Sequence, residues 1–306
     1  MKLSPDSEAI VGATAGVVAE HAEQITSVFY PTMFAAHPEL LNVFNTANQA
    51  VGEQPKALAA SVVAFAVQLL DPNAPDFTPV MRRIAHKHVS LGIKAREYTI
   101  VGRFLLDAVG TVLGAAVTPE VRAAWDEVYW LFATELIAQE AALYALGGTN
   151  PEEPWREYRV VERDEESTDI FSLVIAPVEG HVPTHDTGQY VAISVTLPDG
   201  SRQPRQYTIS SGPRRDSLRV TIKRVHGAAG VPDGIVSNWL YAHARPGAIL
   251  DVSQPAGDVV LVQGTGGAAD AGKAGIFRLA RSAIADSKDR QMQIVGSGAA
   301  IDERAD

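Results

Sequence analysis

The chain contains no cysteine. That absence excludes disulfides, thiolate nucleophiles and cysteine-ligated metal or iron–sulfur sites, and it fits a reducing compartment. Basic residues are fewer than acidic ones, 26 against 36, for a formal net charge of -10. The clustered cationic face that a nucleic acid requires is missing, so small molecules are the expected partners. Long apolar runs are missing too. VVAFAVQLL at 62–70 is too short to cross a bilayer, and MKLSPDSEAI lacks the basic-then-apolar order of a secretory signal. A cytoplasmic chain outside the membrane is the expectation. What is present is length: 306 residues with 46% hydrophobics allow two ordinary domains, each with its own core. Any metal must be held by histidine, carboxylate or a cofactor.

Residues 4–146 read as helices, because apolar positions recur at spacings of three and four and the punctuation in SPDSE, GEQP, DPNAPD and VTPEV has the form of helix starts. LGGTNPEEPW at 146–155 is a loop-rich break between domains. The period then changes. WREYRVVERDEE, DIFSLVIAPVEG, QYVAISVTLPDG, PRQYTISSGP, SLRVTIKRV and ILDVSQPAGDVVL are short β-branched and aromatic runs bounded by turn residues. Six such strands suffice to close a small antiparallel barrel, interrupted by one helix at GIVSNWLYAHA, 234–244. From Gly264 the texture becomes Gly- and Ala-rich. The fold expected is therefore multi-domain: an all-α domain over 1–147, a six-stranded antiparallel β-barrel over 151–262, and an irregular tail over 263–306.

Within RRIAHKHVSLGI at 82–93, two histidines stand two positions apart. At about 100° per helical residue, Phe77, Val80, Met81, Ile84 and His88 share one side, while Arg82, Arg83, His86 and Lys87 lie mostly away from it. His88 points inward and His86 outward. A single inward histidine is more often a hydrogen-bonded core residue than a ligand.

The order of the surrounding segments changes that balance. FYPTMF, HPEL, VFNTANQ, GEQPKAL, IAHKHVSLGIKAREYTIVG and QEAALY resemble the globin half of the flavohaemoglobins across nearly all of residues 1–146. The resemblance implies that His88 is the proximal ligand of haem iron and that His86 is a surface residue. It implies that Tyr30 and Gln54 are the distal polar pair, that Leu58 limits the pocket, and that Phe44 packs on the porphyrin. Tyr98 and Glu140 match the pair that bonds the other nitrogen of the proximal ring, and a carboxylate there makes an imidazole more electron-rich. Lys87 matches a family lysine near the domain boundary.

In the second domain, PRQYTIS at 204–210 resembles the R-x-Y-[ST] flavin signature of the ferredoxin-reductase-type barrel. Arg205 would neutralise a pyrophosphate, Tyr207 would lie along the ring and ribityl chain, and Thr208 would bond near the reactive nitrogen. Gln206 and Ser210 complete that segment. Tyr190 in GQY and the helix start at Gly234, Ile235, Val236 and Ser237 join the same expected site, since backbone N–H groups at a helix N-terminus suit phosphate oxygens.

The resemblance implies haem b and FAD as cofactors, dioxygen and nitric oxide as ligands, and oxidation of nitric oxide to nitrate with electrons derived from NAD(P)H. A monomer is expected. The family's nicotinamide-binding domain has no counterpart among residues 263–306, whose G-T-G-G-A-A run supports at most one βαβ unit. An external reductase is then one expected electron source. A gas-binding globin without self-sufficient turnover, and a flavin reductase carrying a spectator helical domain, are the alternatives.

Overall fold

The structure, a computed structural model, describes residues 2–43, 53–227 and 232–260, the side chains of 53–57 and 59 excepted. The expected sites at Phe44 and Gln54 and the tail beyond Val260 lie outside the described side chains.

Among the described residues six α-helices belong to the first unit: α1 (Pro5–Glu20), α2 (Ala22–Ala36), α3 (Glu53–Leu70), α4 (Thr78–Leu91), α5 (Glu97–Leu113) and α6 (Pro119–Gly147), with a 3-10 turn at Pro38–Asn42. The punctuation works as its chemistry dictates. Ser4 and Thr118 cap α1 and α6 by accepting the N–H groups of Ser7 and Val121, each with proline in the first turn. Gly92 ends α4 in the left-handed region, φ 73°, and its missing side chain leaves room for Pro154, whose Cγ would lie 2.8 Å from a Cβ there.

The helical core gathers Phe29, Met33, Val128, Tyr129 and Leu136, all essentially inaccessible. Gly102 of α5 sits against the Tyr129 ring, which a Cβ would overlap. The Tyr129 hydroxyl donates to the Tyr98 carbonyl at 2.5 Å. Among the described residues one helical stretch, Glu97–Ala116, is long and apolar enough to cross a membrane; here α5 packs against α2 and α6. Val80, placed on the inward side of α4 by its period, is instead exposed, because it lies in the first turn at the edge of the apolar stripe.

The second unit is one sheet of β1 (Trp155–Glu165), β2 (Ile170–Pro177), β3 (Tyr190–Thr196), β4 (Arg202–Thr208), β5 (Leu218–Lys223) and β6 (Ile249–Ser253). The strand order is β4-β3-β6-β1-β2-β5. All pairs are antiparallel. A bridge between Ile209 and Val220, with the Ser210 N–H donating to the Arg219 carbonyl at 2.7 Å, joins the two edges and closes the barrel. Alternate residues fill its interior, as Leu218, Val220 and Ile222 do along β5. The helix α7 (Ile235–His243) adds Val236 and Leu240 to that core. Arg163 stacks between the rings of Phe171 and Tyr241, 4.6 and 4.7 Å from their centres.

Tyr158, on β1, is fully buried, and its hydroxyl has no hydrogen-bond partner among the described residues. Burying an unpaired hydroxyl costs roughly 1–3 kcal/mol. Tyr158→Phe is therefore expected to match or exceed the parent in denaturant unfolding, and a clear loss of stability would count against this account.

Candidate functional site

A cavity of about 180 Å³ lies within the helical unit. Its walls are mostly apolar: Leu40, Val43, Leu58, Ile84, Leu91 and Val101 among others, with Phe132 and Leu136 behind. His88, Tyr30, Tyr98, Lys87 and Leu58 all line it, so five of the expected site residues converge on one space. Lys87, placed mostly away from the core by its helical angle, reaches this cavity while remaining largely exposed.

His88 is the centre of its polar chemistry. Nδ1 lies 2.8 Å from Glu140 Oε1 and 2.8 Å from the Tyr98 hydroxyl, and Tyr98 donates to the same carboxylate oxygen at 2.5 Å. Glu140 is acceptor to both, so the proton of the neutral ring resides on Nδ1 and the lone pair on Nε2. Glu140 is 4% exposed and Tyr98 6%, which excludes water from the network. Burial, followed by the adjacent Glu140 charge, pushes the Tyr98 phenol well above its ordinary range, so it stays a donor. Burial likewise raises the Tyr30 phenol. Tyr30 packs edge-on to Phe29 and stacks on Phe34, at 4.6 and 5.8 Å between centres.

No group of three or more His, Asp or Glu able to hold a bare metal ion occurs among the described residues. A single imidazole with a free Nε2 in an apolar space instead suits a metal that brings its own in-plane donors. The residues present thus fit a haem.

The barrel's expected site is less uniform. Arg205 is half-buried, with Nη1 donating to the Pro204 carbonyl at 2.7 Å and to Gln203 Oε1 at 3.3 Å. Among the described residues no carboxylate pairs with it, and burial lowers its pKa. A partly desolvated, uncompensated guanidinium is suited to a pyrophosphate. Tyr190, Tyr207 and Thr208 are half-buried, and Tyr190 and Thr208 face each other across β3 and β4. Burial pushes the Tyr190 phenol up to about 12.

Other expected flavin residues are engaged within the fold. The Ser210 hydroxyl bonds Thr221 Oγ1 at 2.9 Å and donates to the Arg219 carbonyl. Ser237 Oγ accepts the Val225 N–H at 3.1 Å and donates to the Gly234 carbonyl at 3.2 Å. Gly234 is closed over by the Val225 side chain. Val236 is in the barrel core at 2% exposure, so its side chain is not available to a cofactor. At this helix start the exposed Ile235 side chain and backbone N–H groups remain for one.

Two residues stand where sequence reasoning did not put them. His86, expected on the surface, is half-buried between the domains, its Nδ1 accepting the Gly257 N–H at 3.0 Å. It does point away from the helical core, but what lies there is the barrel. Gln206 donates to Ser90 Oγ at 2.6 Å, again across the boundary. Further contacts seal that boundary: Lys94 Nζ to the Glu152 carbonyl, Gln254 Nε2 to the Leu143 carbonyl, and the Arg202 N–H to Asn42 Oδ1.

A helical unit with one histidine in an apolar cavity, sealed onto a closed antiparallel barrel bearing an R-x-Y-T strand, defines a globin joined to a barrel of ferredoxin-reductase type. The globin family model matches residues 27–136. A flavohemoprotein of Bordetella parapertussis is 44% identical over 264 residues, 85% of this chain and 64% of that protein. One of Bacillus subtilis is 37% identical, across 82% of this chain and 62% of its own length. The crystal structure of a flavohemoglobin from Malassezia yamatoensis, with bound FAD and heme, is similar at a TM-score of 0.75 and 34% identity, over 85% of this chain and 66% of that one. The chain is a homologue of the flavohemoproteins, and it spans just under two thirds of the length of the curated relatives it matches.

Proposed function

We propose that the chain binds haem b and FAD and acts as a nitric oxide dioxygenase-type oxidoreductase, consuming nitric oxide and dioxygen and forming nitrate. The observation that carries this reading is the His88–Glu140–Tyr98 network. It commits Nδ1 to the protein and leaves Nε2 for a ligand. Haem iron, when bound, supplies the binding of dioxygen and the oxidation of nitric oxide, and FAD supplies the electrons, drawn from NAD(P)H, that restore the iron.

His88 would hold the iron. Glu140, accepting the Nδ1 proton, makes the ring a stronger donor, and Tyr98 keeps the carboxylate and ring aligned. Tyr30 offers a phenol that stays protonated on the cavity wall and would hold the polar end of a diatomic ligand, with Gln54 proposed beside it and Phe44 against the macrocycle. Leu58 limits the room for anything larger. On the barrel, Arg205 would neutralise the pyrophosphate, while Tyr190, Tyr207 and Thr208 would seat the ring. Gln206, Ser210 and the α7 start at Gly234 and Ser237 would border it. A monomer in the cytoplasm, fed by a nicotinamide-binding domain or a separate reductase, belongs to the same proposal.

The test is a nitric oxide electrode trace on protein loaded with haem and FAD, with a chemical or enzymatic electron donor and dioxygen present. Consumption of nitric oxide with stoichiometric nitrate is expected. Reversible gas binding without nitrate would leave a gas-binding globin instead. Glu140→Gln replaces a carboxylate by a weaker acceptor and is expected to lower haem affinity by about 10–100-fold, the range for a lost outer-shell partner of a metal ligand. Haem transfer to apomyoglobin measures that change.

A further inference from the structure

Ser90 lies two residues beyond His88 on α4 and has no solvent exposure. Its hydroxyl donates to the Lys87 carbonyl at 2.7 Å. The same oxygen accepts Gln206 Nε2 at 2.6 Å. A serine hydroxyl has one hydrogen and two acceptor positions. With the hydrogen on Lys87, the Gln206 amide is the donor that fills one acceptor position, and the Tyr190 side chain lies beside the same serine.

Gln206 and Tyr190 come from the barrel, from β4 and β3, and both belong to the segments proposed above to seat the flavin. The acceptor comes from the helical domain. Gln206 is largely exposed, so without Ser90 its amide would sample many rotamers. Tyr190 also touches Gly257, whose missing side chain gives its ring room at 3.1 Å from where a Cβ would be. Gly257 in turn donates to His86 of the same helix. One face of α4 therefore fixes the rim of the barrel around Tyr190.

We infer that Ser90 is a positioning residue of the flavin site: through its hydroxyl, the haem-ligand helix holds Gln206 in place beside Tyr190, so the globin domain contributes to FAD affinity. This rests on the flavin reading proposed above. A side chain fixed in advance need not be immobilised on binding, which corresponds to up to about tenfold in affinity.

The experiment is a fluorescence titration of FAD into the haem-loaded full chain, comparing the parent, Ser90→Ala, Gln206→Ala and the double variant. The expected result for Ser90→Ala is about fivefold to tenfold weaker FAD binding, the loss of one hydrogen-bond anchor, with an unchanged haem Soret band. The double variant should bind no more weakly than the sum of the singles minus their shared part, a non-additivity that marks action through Gln206. FAD affinity of Ser90→Ala equal to or tighter than the parent overturns the inference. Strict additivity in the cycle overturns the part assigned to Gln206. Absence of FAD binding in the parent would overturn the flavin reading itself and is seen separately, in the first titration. Should Ser90→Ala lose its Soret band, Ser90→Cys, close in size and a poor acceptor, takes its place with the same two outcomes.

Discussion

Replacing His88 by alanine is expected to give a folded protein that binds FAD and shows no haem Soret band. The ring is the only described His, Cys, Asp or Glu side chain of the cavity wall with a nitrogen lone pair to offer, since Glu140 and Tyr98 are bonded to Nδ1 and Glu97 is an oxygen donor whose pKa burial raises. Removing it would delete the proposed iron ligand and leave Glu140 and Tyr98 paired with each other at 2.5 Å, so the fold keeps a satisfied pair. Free imidazole at millimolar concentration should enter the vacated space and restore the band. Retention of an unshifted Soret band by the alanine variant would disprove His88 as the ligand.

Tyr129→Ala is expected to be the most destabilising single change in the helical unit, at roughly 3–5 kcal/mol, the range for truncating a large buried aromatic. That is a large part of the roughly 5–15 kcal/mol that holds an ordinary domain together. Tyr129 is 2% exposed, lines the His88 cavity, fills the space left by Gly102 and bonds the Tyr98 carbonyl. Its loss therefore opens a void and frees the residue that aligns His88. Chemical denaturation should show the shift in midpoint, and Tyr129→Phe should recover most of it, falling short by about 1 kcal/mol for the lost hydrogen bond. The converse change, Gly102→Ala, overpacks the same contact and should cost about 1–3 kcal/mol. A small effect at both positions would show that the ring is not a keystone of this core.

Much of this was legible in the sequence because period and punctuation are local. The α-to-β switch at LGGTNPEEPW, all six strands and the α7 helix follow from residue spacing and turn chemistry alone. His88 could be picked from His86 by helical angle. Its partners could not: Tyr98 and Glu140 are 10 and 52 residues away, and a buried glutamate looks like any other helix charge until three helices pack. The family resemblance, not the spacing, supplied them. His86 shows the limit from the other side. An outward histidine on a helix is correctly outward, yet which surface it meets depends on a second domain that the α4 period knows nothing of. Ser90 and Gln254 carried no local signal at all. The helix start at Gly234 to Ser237 signalled backbone N–H groups, while the burial of the Val236 side chain and the bond from the Val225 N–H to the Ser237 hydroxyl depend on the packed barrel.

The length of α6 has a mechanical meaning. At about 1.5 Å per residue its 29 residues make a rod of roughly 43 Å. Glu140 sits two turns from the end of that rod, and at the end itself Gly147 abuts Gln254 of the barrel, whose amide grips the Leu143 carbonyl between them. The carboxylate that faces the His88 imidazole and the seat on which the barrel rests are thus carried by one uninterrupted helix, with no joint between them.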